Sequence, residues 1–377
     1  MKSWIFLAYA SLFVLGLSDN IRGPIFTDLT QEFGLSQSKG ALFFSVSSGM
    51  TIVAGYLAKF IMEKWGPIAI LRFSLGIYTL AQLGIWFSPA YWVVLMCIFF
   101  FGAAMGFMGV GQNVAVIEAS PPKELRQWLS GLHSMYGAAS FLAPLLVSGV
   151  ASVAVGWRHP FLVTGLFSGI FFIISFFVPM KKQLIHHAET KVDEKSRHFE
   201  QIFFALAVAF YVGSELLIST RLPQYLREVQ GYSLDQAAVL TSGFFAFLLA
   251  GRVLFIFWKP KVSLKSQMVT CLAASILFMA LGFVMTPYFF SLVGIAMAPY
   301  YPLALTSAGG LFPRSLNAVT SYSIALSGLM IVAMHSLYGV IGDMFGIDKS
   351  MMIGPFFSLM ALGMILMYQK IFNRVLG

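Results

Sequence analysis

Residues 181–200 read KKQLIHHAETKVDEKSRHFE, and they form the one sizeable hydrophilic stretch in a chain of 377 residues. Outward from it in both directions the sequence is apolar. Hydrophobic residues make up 58% of the chain and charged residues only 10%, against about 25% charged in soluble domains. A soluble core cannot absorb such a composition. A membrane span needs roughly 20 apolar residues to cross about 30 Å of hydrocarbon, so this length suits about a dozen spans with short connections. Upstream of the hydrophilic stretch, apolar runs fall near 4–27, 39–61, 68–87, 91–118, 128–153 and 160–179. Downstream they fall near 201–226, 234–257, 266–286, 288–311, 317–342 and 351–371. The first run contains Asp19 and Arg22 and lacks a small-residue cleavage site, so it reads as a retained helix rather than a signal peptide.

The basic residues orient the spans. Fifteen of the 24 lysines and arginines, from Lys2 and Lys64 to Lys370 and Arg374, fall in gaps on one side, while Lys39, Arg158, Arg227 and Lys349 fall on the other. That asymmetry places both termini and the central stretch in the cytoplasm of a cell whose inner membrane holds the protein. The net charge of +9 does not imply nucleic acid, because the basic residues sit between apolar spans instead of on one solvated face. Cys97 and Cys271 lie far apart within apolar runs and suggest neither a disulfide framework nor a metal site.

The two halves echo each other. A slide of 196 residues puts Asp19 on Glu215, Glu32 on Glu228 and Ala54-Gly55 on Ala250-Gly251. A slide of 192 puts Gly102 on Gly294, Met105 on Met297 and Pro121 on Pro313. A duplicated six-helix unit leaves this kind of trace. The expected organisation is an all-α membrane protein of twelve transmembrane helices in two pseudo-symmetric six-helix bundles. Residues 1–180 form one bundle, 181–200 a cytoplasmic linker, and 201–377 the other bundle. A further echo, His133-Ser134-x-Tyr136-Gly137 at His335-Ser336-x-Tyr338-Gly339, sits at different helix depths and reads as chance.

Several strings resemble the fucose–proton symporter family, a sugar-transporting branch of the major facilitator superfamily. They are Gly16-Leu-Ser-Asp19-Asn20 through Ser36, Gly102 to Asn113, Leu132-His133, and Tyr211-Val-Gly-Ser-Glu215. Leu222-Pro223-Gln224-Tyr225-Leu226, Gly251-Arg252 and Ala298-Pro299-Tyr300-Tyr301-Pro302 complete the set. The resemblance implies the major facilitator fold, a sugar-like solute and a central solute site. Departures accompany it: Lys59 follows Gly55 where the superfamily's loop signature expects an acid, and the family's acid in helix four falls on Gly109.

An ionised side chain in hydrocarbon costs at least ~2.5 kcal/mol on insertion scales, so a charge within a span needs a partner, a watery cavity or a function. On the first run Gly16, Asp19, Asn20 and Gly23 share a face, and Gly23-Pro24 frees backbone groups as in a helix that lines a cavity. Asp19, Asn20 and Arg22 are expected to line the solute path, and an internal ion pair is the competing reading. On the seventh run Tyr211, Glu215 and Ser219 follow one stripe, with Arg221 off it. Gln112, Asn113, Tyr136, Tyr211, Glu215 and Arg221 join the expected solute-binding set. Asp19, Glu215 and His133, whose ring titrates near neutrality, are the expected proton carriers. Lys59, Glu63, Glu118 and Arg252 lie near cytoplasmic helix ends and read as a gating network. The tryptophans at 4, 65, 92, 128, 157 and 258 read as headgroup anchors.

No phosphate-binding Gly-x4-Gly-Lys-Ser/Thr loop, metal-spaced His/carboxylate pair or Gly-x-Ser-x-Gly elbow is present. The expectation is a secondary transporter, not an enzyme, with no cofactor or metal. It would act as a monomer in the bilayer with a solute and a proton as its partners. One arginine from each half, Arg22 and Arg221, puts an organic anion (a carboxylate, a sugar acid or a siderophore) slightly ahead of a neutral sugar. A drug or lipid exporter is the alternative, kept open by 20 methionines and 38 phenylalanines.

Overall fold

A computed structural model describes residues 2–121, 123–180, 197–257 and 261–372, and among these every regular element is helical. The chain forms two compact units, Met1–His187 and Ala188–Gly377. The first holds α1 (Lys2–Asn20), α2 (Arg22–Glu32), α3 (Gln37–Trp86), α4 (Tyr91–Ala119), α5 (Leu125–Ala151) and α6 (His159–Ser175). The second holds α7 (His198–Glu228), α8 (Leu234–Phe257), α9 (Leu264–Val284), α10 (Tyr288–Met297), α11 (Tyr300–Leu311), α12 (Leu316–Phe345), α13 (Ile347–Ser350) and α14 (Ile353–Phe372).

Apolar runs become helices here because lipid offers backbone N–H and C=O groups no partner outside the segment itself. Among the described residues ten helices are long and apolar enough to cross a membrane, eleven if the bent pair α1 and α2 is one span. Helix α6 is equally apolar but has 17 residues. Breaks fall where the sequence carries glycine or proline. Two runs merge into α3, which turns at Gly66 with φ 78° ahead of Pro67, a conformation open to glycine at little cost. The run 288–311 is interrupted at Ala298-Pro299 between α10 and α11. The first run bends by 41° at Ile21, just before Gly23-Pro24.

The expected linker lies outside the described residues as far as 196, and its end belongs to α7 instead. Arg197 donates to both carboxylate oxygens of Glu200, at 2.8 and 2.9 Å. Tyr368 of α14 donates to the same carboxylate at 2.7 Å. An acid in the first turn also suits the helix dipole, so these hydrophilic residues extend the helix.

Within each unit the packing partners correspond. The first helix packs on the fifth (α1 on α5, α7 on α12), and the second on the fourth (α3 on α4, α8 on α10). The third packs on the sixth (the later half of α3 on α6, α9 on α14). The glycines of the internal repeat explain why. A β-carbon on Gly102 would collide with the Ser47 carbonyl of α3, and one on Gly294 with the Phe244 carbonyl of α8. Gly106 lies against Gly55 and Ala54, and Gly251 against Ala298. Small residues let helix backbones touch where no hydrophobic force drives association between helices.

The tryptophans divide. Trp65 and Trp92 are exposed on the apolar surface, as anchors would be. Trp4 and Trp157 are buried, correcting the anchor reading for these two. Their indole N–H groups donate inward, to the Pro179 carbonyl at 2.9 Å and to Glu32 Oε2 at 2.7 Å. Trp258 lies outside the described residues.

Substituting Gly102 or Gly294 by Val is expected to cost about 1–3 kcal/mol as overpacking. Gly109→Ala, where nothing lies within 4 Å of the added carbon, should leave stability unchanged. Thermal melting of the purified protein measures all three, and equal melting of Gly102→Val and Gly109→Ala would contradict the contact.

Candidate functional site

Each unit holds an acid–arginine cluster around a residue of its first long helix, Asp19 or Glu215. In the first unit it centres on the bend between α1 and α2. Breaking a helix strands carbonyls at its C-terminal end, and side chains next to the break take them up. Arg22 Nε donates to the Asp19 carbonyl at 3.1 Å, and Asn20 Nδ2 to the Gly16 carbonyl at 2.8 Å. Arg22 Nη2 pairs with Asp19 Oδ1, and Nη1 donates to Ser47 Oγ at 2.6 Å. The guanidinium also lies 5.2 Å from the ring centroids of Phe44 and Phe101, within cation–π range. Asp19 Oδ2 accepts from the Tyr136 hydroxyl at 2.7 Å, and Asn20 Nδ2 donates to Ser140 Oγ at 3.0 Å. The Asp19 side chain is 14% exposed and that of Arg22 7%. Of the expected residues, Asp19, Asn20, Arg22 and Tyr136 thus form one network.

Others lie apart from it. Gln112 is buried and donates to Ser11 Oγ at 3.1 Å, a bond between α4 and α1. Asn113 is half-buried and donates to its own helix at the Gly109 carbonyl, 2.7 Å away. His133 is exposed on α5, three residues before Tyr136.

In the second unit Tyr211 donates to Glu215 Oε2 and lies 2.9 Å from the Met297 carbonyl. Its ring stacks on Tyr300 with centroids 4.2 Å apart. Glu215 Oε1 meets Arg252 Nη2 of α8 at 3.6 Å, with side-chain exposures of 15% and 41%. Arg252, read from the sequence as part of a gating group, pairs with Glu215 in the structure: its long side chain, five residues before the end of α8, reaches this carboxylate on α7. Of that group, Lys59 lies over the rings of Tyr56 and Phe60, Glu63 is exposed, and Glu118 is half-buried with its Oε2 atom enclosed.

Arg221, expected to grip an anion, packs against α12. It is 0% exposed, its guanidinium lies 4.6 Å from the Tyr338 ring centroid, and Nη2 is 3.4 Å from His335 Nδ1. In the echo of His133 and Tyr136 in His335 and Tyr338 the histidines differ, His133 being exposed and His335 buried. Each tyrosine meets a charge on the first long helix of its unit, Asp19 or Arg221, and both pairs are related by the same offset in sequence. Residues that sequence reading missed include Ser47, Ser140, Phe44, Phe101 and Tyr300. The serines and phenylalanines have no pattern separating them from others in their helices, whereas Tyr300 stands in a distinctive Ala-Pro-Tyr-Tyr-Pro string. Among the described residues no group of three or more His, Cys, Asp and Glu could hold a metal ion.

Removing one partner of a buried ion pair strands the other charge, a loss of about 3 kcal/mol or more. Arg22→Met is therefore expected to lower the melting temperature strongly, and adding Asp19→Asn to recover much of the loss. A double variant as unstable as Arg22→Met alone would show that the pair does not carry the effect.

The sequence profile of the Major Facilitator Superfamily matches residues 8–330. A probable sphingolipid transporter, spinster homolog 1 of Arabidopsis thaliana, is 22% identical over 242 residues, covering 62% of this chain and 48% of that protein. Protein TsgA of Escherichia coli O1:K1 is 22% identical over 259 residues, 68% of this chain and 65% of that protein. The matches thus span about half to two thirds of these relatives. A D-xylose–proton symporter structure superposes with TM-score 0.78 at 16% identity, covering 98% of this chain and 97% of that one. A bacterial homologue of the lysosomal transporter Spinster gives TM-score 0.78 at 14% identity, covering 99% and 97%.

Proposed function

Because the chain belongs to the Major Facilitator Superfamily, and so is a multi-pass membrane transporter and not an enzyme, we propose that it is a proton-coupled secondary transporter of a small neutral solute rich in hydroxyls. A sugar or sugar-like polyol fits this description. The observation that carries this reading is the repeated carboxylate site. Asp19 and Glu215 each sit within an apolar unit with one oxygen bonded by a tyrosine hydroxyl and the other facing an arginine, while remaining 14 and 15% exposed. A carboxylate so held is a group that can exchange a proton when water reaches it, and protonation discharges its ion pair. Around Glu215 the pair is loose, so a proton there frees Arg252 to move.

The arginines favour a neutral cargo over an anion. Arg22 already spends three N–H groups on the Asp19 carbonyl, the Asp19 carboxylate and Ser47 out of the five a guanidinium carries. An anion would have to share the guanidinium with Asp19. Arg221 is wholly buried among aromatic and imidazole groups. Asp19, Asn20 and Tyr136 in the first unit, and separately Tyr211 and Glu215 in the second, offer the kinds of acceptors and donors that hydroxyls need. The similarity to a D-xylose–proton symporter supports the same cargo class and coupling ion. The resemblance to the fucose–proton branch agrees with it.

The proposal includes twelve spans, counting α1 with α2 as one and α6 as another, in an inner membrane. Both termini would be cytoplasmic, and transport would proceed by alternating access of a monomer. His133, on the same face of α5 as Tyr136, would serve as a relay.

An amphiphilic lipid is the second reading, favoured by the similarity to a protein described as a probable sphingolipid transporter. Uptake of labelled sugars, sugar acids and a short-chain sphingolipid into proteoliposomes, with and without a pH gradient, separates the readings. Gradient-driven accumulation of a neutral sugar is expected, and accumulation of the lipid alone would overturn the proposal. With the sugar, Asp19→Asn or Glu215→Gln should abolish accumulation yet leave counterflow exchange. Full accumulation in both variants would remove the proton-coupling role.

A further inference from the structure

Helices α9 and α14 pack side by side, and where α9 begins and α14 ends they leave a cavity of about 480 Å³ lined by Lys265, Leu366, Gln369 and Lys370. Lys265 is half-buried, with Nζ 3.4 Å from Gln369 Oε1, and Lys370 is exposed. No carboxylate lies on either helix: the sequence holds no Asp or Glu between Asp235 and Asp343, nor after Asp348. Glu200, which touches the same end of α14 through Tyr368, has both oxygens bonded by Arg197. Beside the cavity, Leu366, Met367 and Ile371 are exposed apolar side chains.

At the corresponding corner of the first unit an arginine spans the two helices. There Arg72, in the later half of α3, donates through Nη2 to the carbonyls of Ser175, the last residue of α6, and of Val178 beyond it, at 2.7 and 3.2 Å. Its guanidinium lies 4.6 Å from the Phe176 ring centroid. The 196-residue offset puts Met268 where Arg72 stands, and Met268 is fully buried. Among the described residues no such arginine stands at this corner of the second unit, and two lysines flank the opening.

We propose that this corner binds the headgroup phosphate of an anionic phospholipid. Lys265 and Lys370 meet the phosphate, Gln369 orients Lys265 and donates its amide to headgroup hydroxyls, and an acyl chain runs along Leu366. Basic pockets between helices at a membrane surface select anionic lipids in this way. Charge complementarity together with the apolar wall points to a lipid over a free phosphate. The proposal requires only that the ends of α9 and α14 lie at a membrane surface, so it stands or falls separately from the cargo.

Native mass spectrometry of the full chain tests it, with phosphatidylglycerol, phosphatidylcholine and inorganic phosphate as probes. Wild type is expected to retain phosphatidylglycerol well above phosphatidylcholine. Lys265→Gln and Lys370→Gln should each weaken retention by ~5-fold and together by ~25-fold, the size expected for one lysine near an anionic surface. Leu366→Asn should weaken phosphatidylglycerol without creating phosphate binding. Melting temperatures matching wild type confirm that the variants fold; Lys370 is exposed, so its single variant provides that test if Lys265→Gln unfolds. Unchanged retention in the double variant, equal retention of phosphatidylcholine, or full competition by inorganic phosphate would overturn the proposal.

Discussion

Hydrocarbon gives a charge or a broken backbone nothing to bond with, and the first unit is arranged around the place where this chain introduces both. The bend at Ile21 interrupts the α-helical ladder just where Asp19, Asn20 and Arg22 stand. Asn20 and Arg22 bond the Gly16 and Asp19 carbonyls near the break, and the two charges neutralise each other. Ser47, Tyr136 and Ser140 then draw α3 and α5 onto the same point. A single site thus stabilises the bend, buries the ion pair and joins three helices. The slight exposure of Asp19 leaves it reachable by a proton or a solute.

The duplicated architecture is kept where backbones touch and relaxed where chemistry sits. Gly102 and Gly294 meet the second helix of their units in the same way, since any β-carbon would collide with a backbone carbonyl. The charges follow no such rule. In the first unit the acid and its arginine are three residues apart on one chain segment, whereas Glu215 finds Arg252 across two helices. A pair within one segment is constrained by its own bend. A pair across helices can lengthen as helices shift, which suits a group expected to alternate between bonded and released states. The corner spanned by Arg72 and left open beside Lys265 is a third such divergence.

Composition and the spacing of apolar runs were enough to read an all-helical, multi-pass chain, because the cost of exposing backbone to lipid leaves helices as the solution for such runs. The glycine and acid echoes were enough to read a duplication, because close helix approach demands small residues at fixed offsets. Asp19, Arg22 and Glu215 were legible as special for one reason: a charge in a span needs an explanation. What the sequence could not decide was the partner of each. Arg252 lies 37 residues from Glu215 and joins it only through the packing of α7 on α8. Arg221 shares its residue type with Arg22, but the helix face it occupies brings it to Tyr338 and His335. Gln112 is polar enough for a ligand yet is used to tie α4 to α1. Periodicity specifies which residues share a face of one helix, but which face meets which neighbour, and at what depth, depends on contacts between segments far apart in sequence.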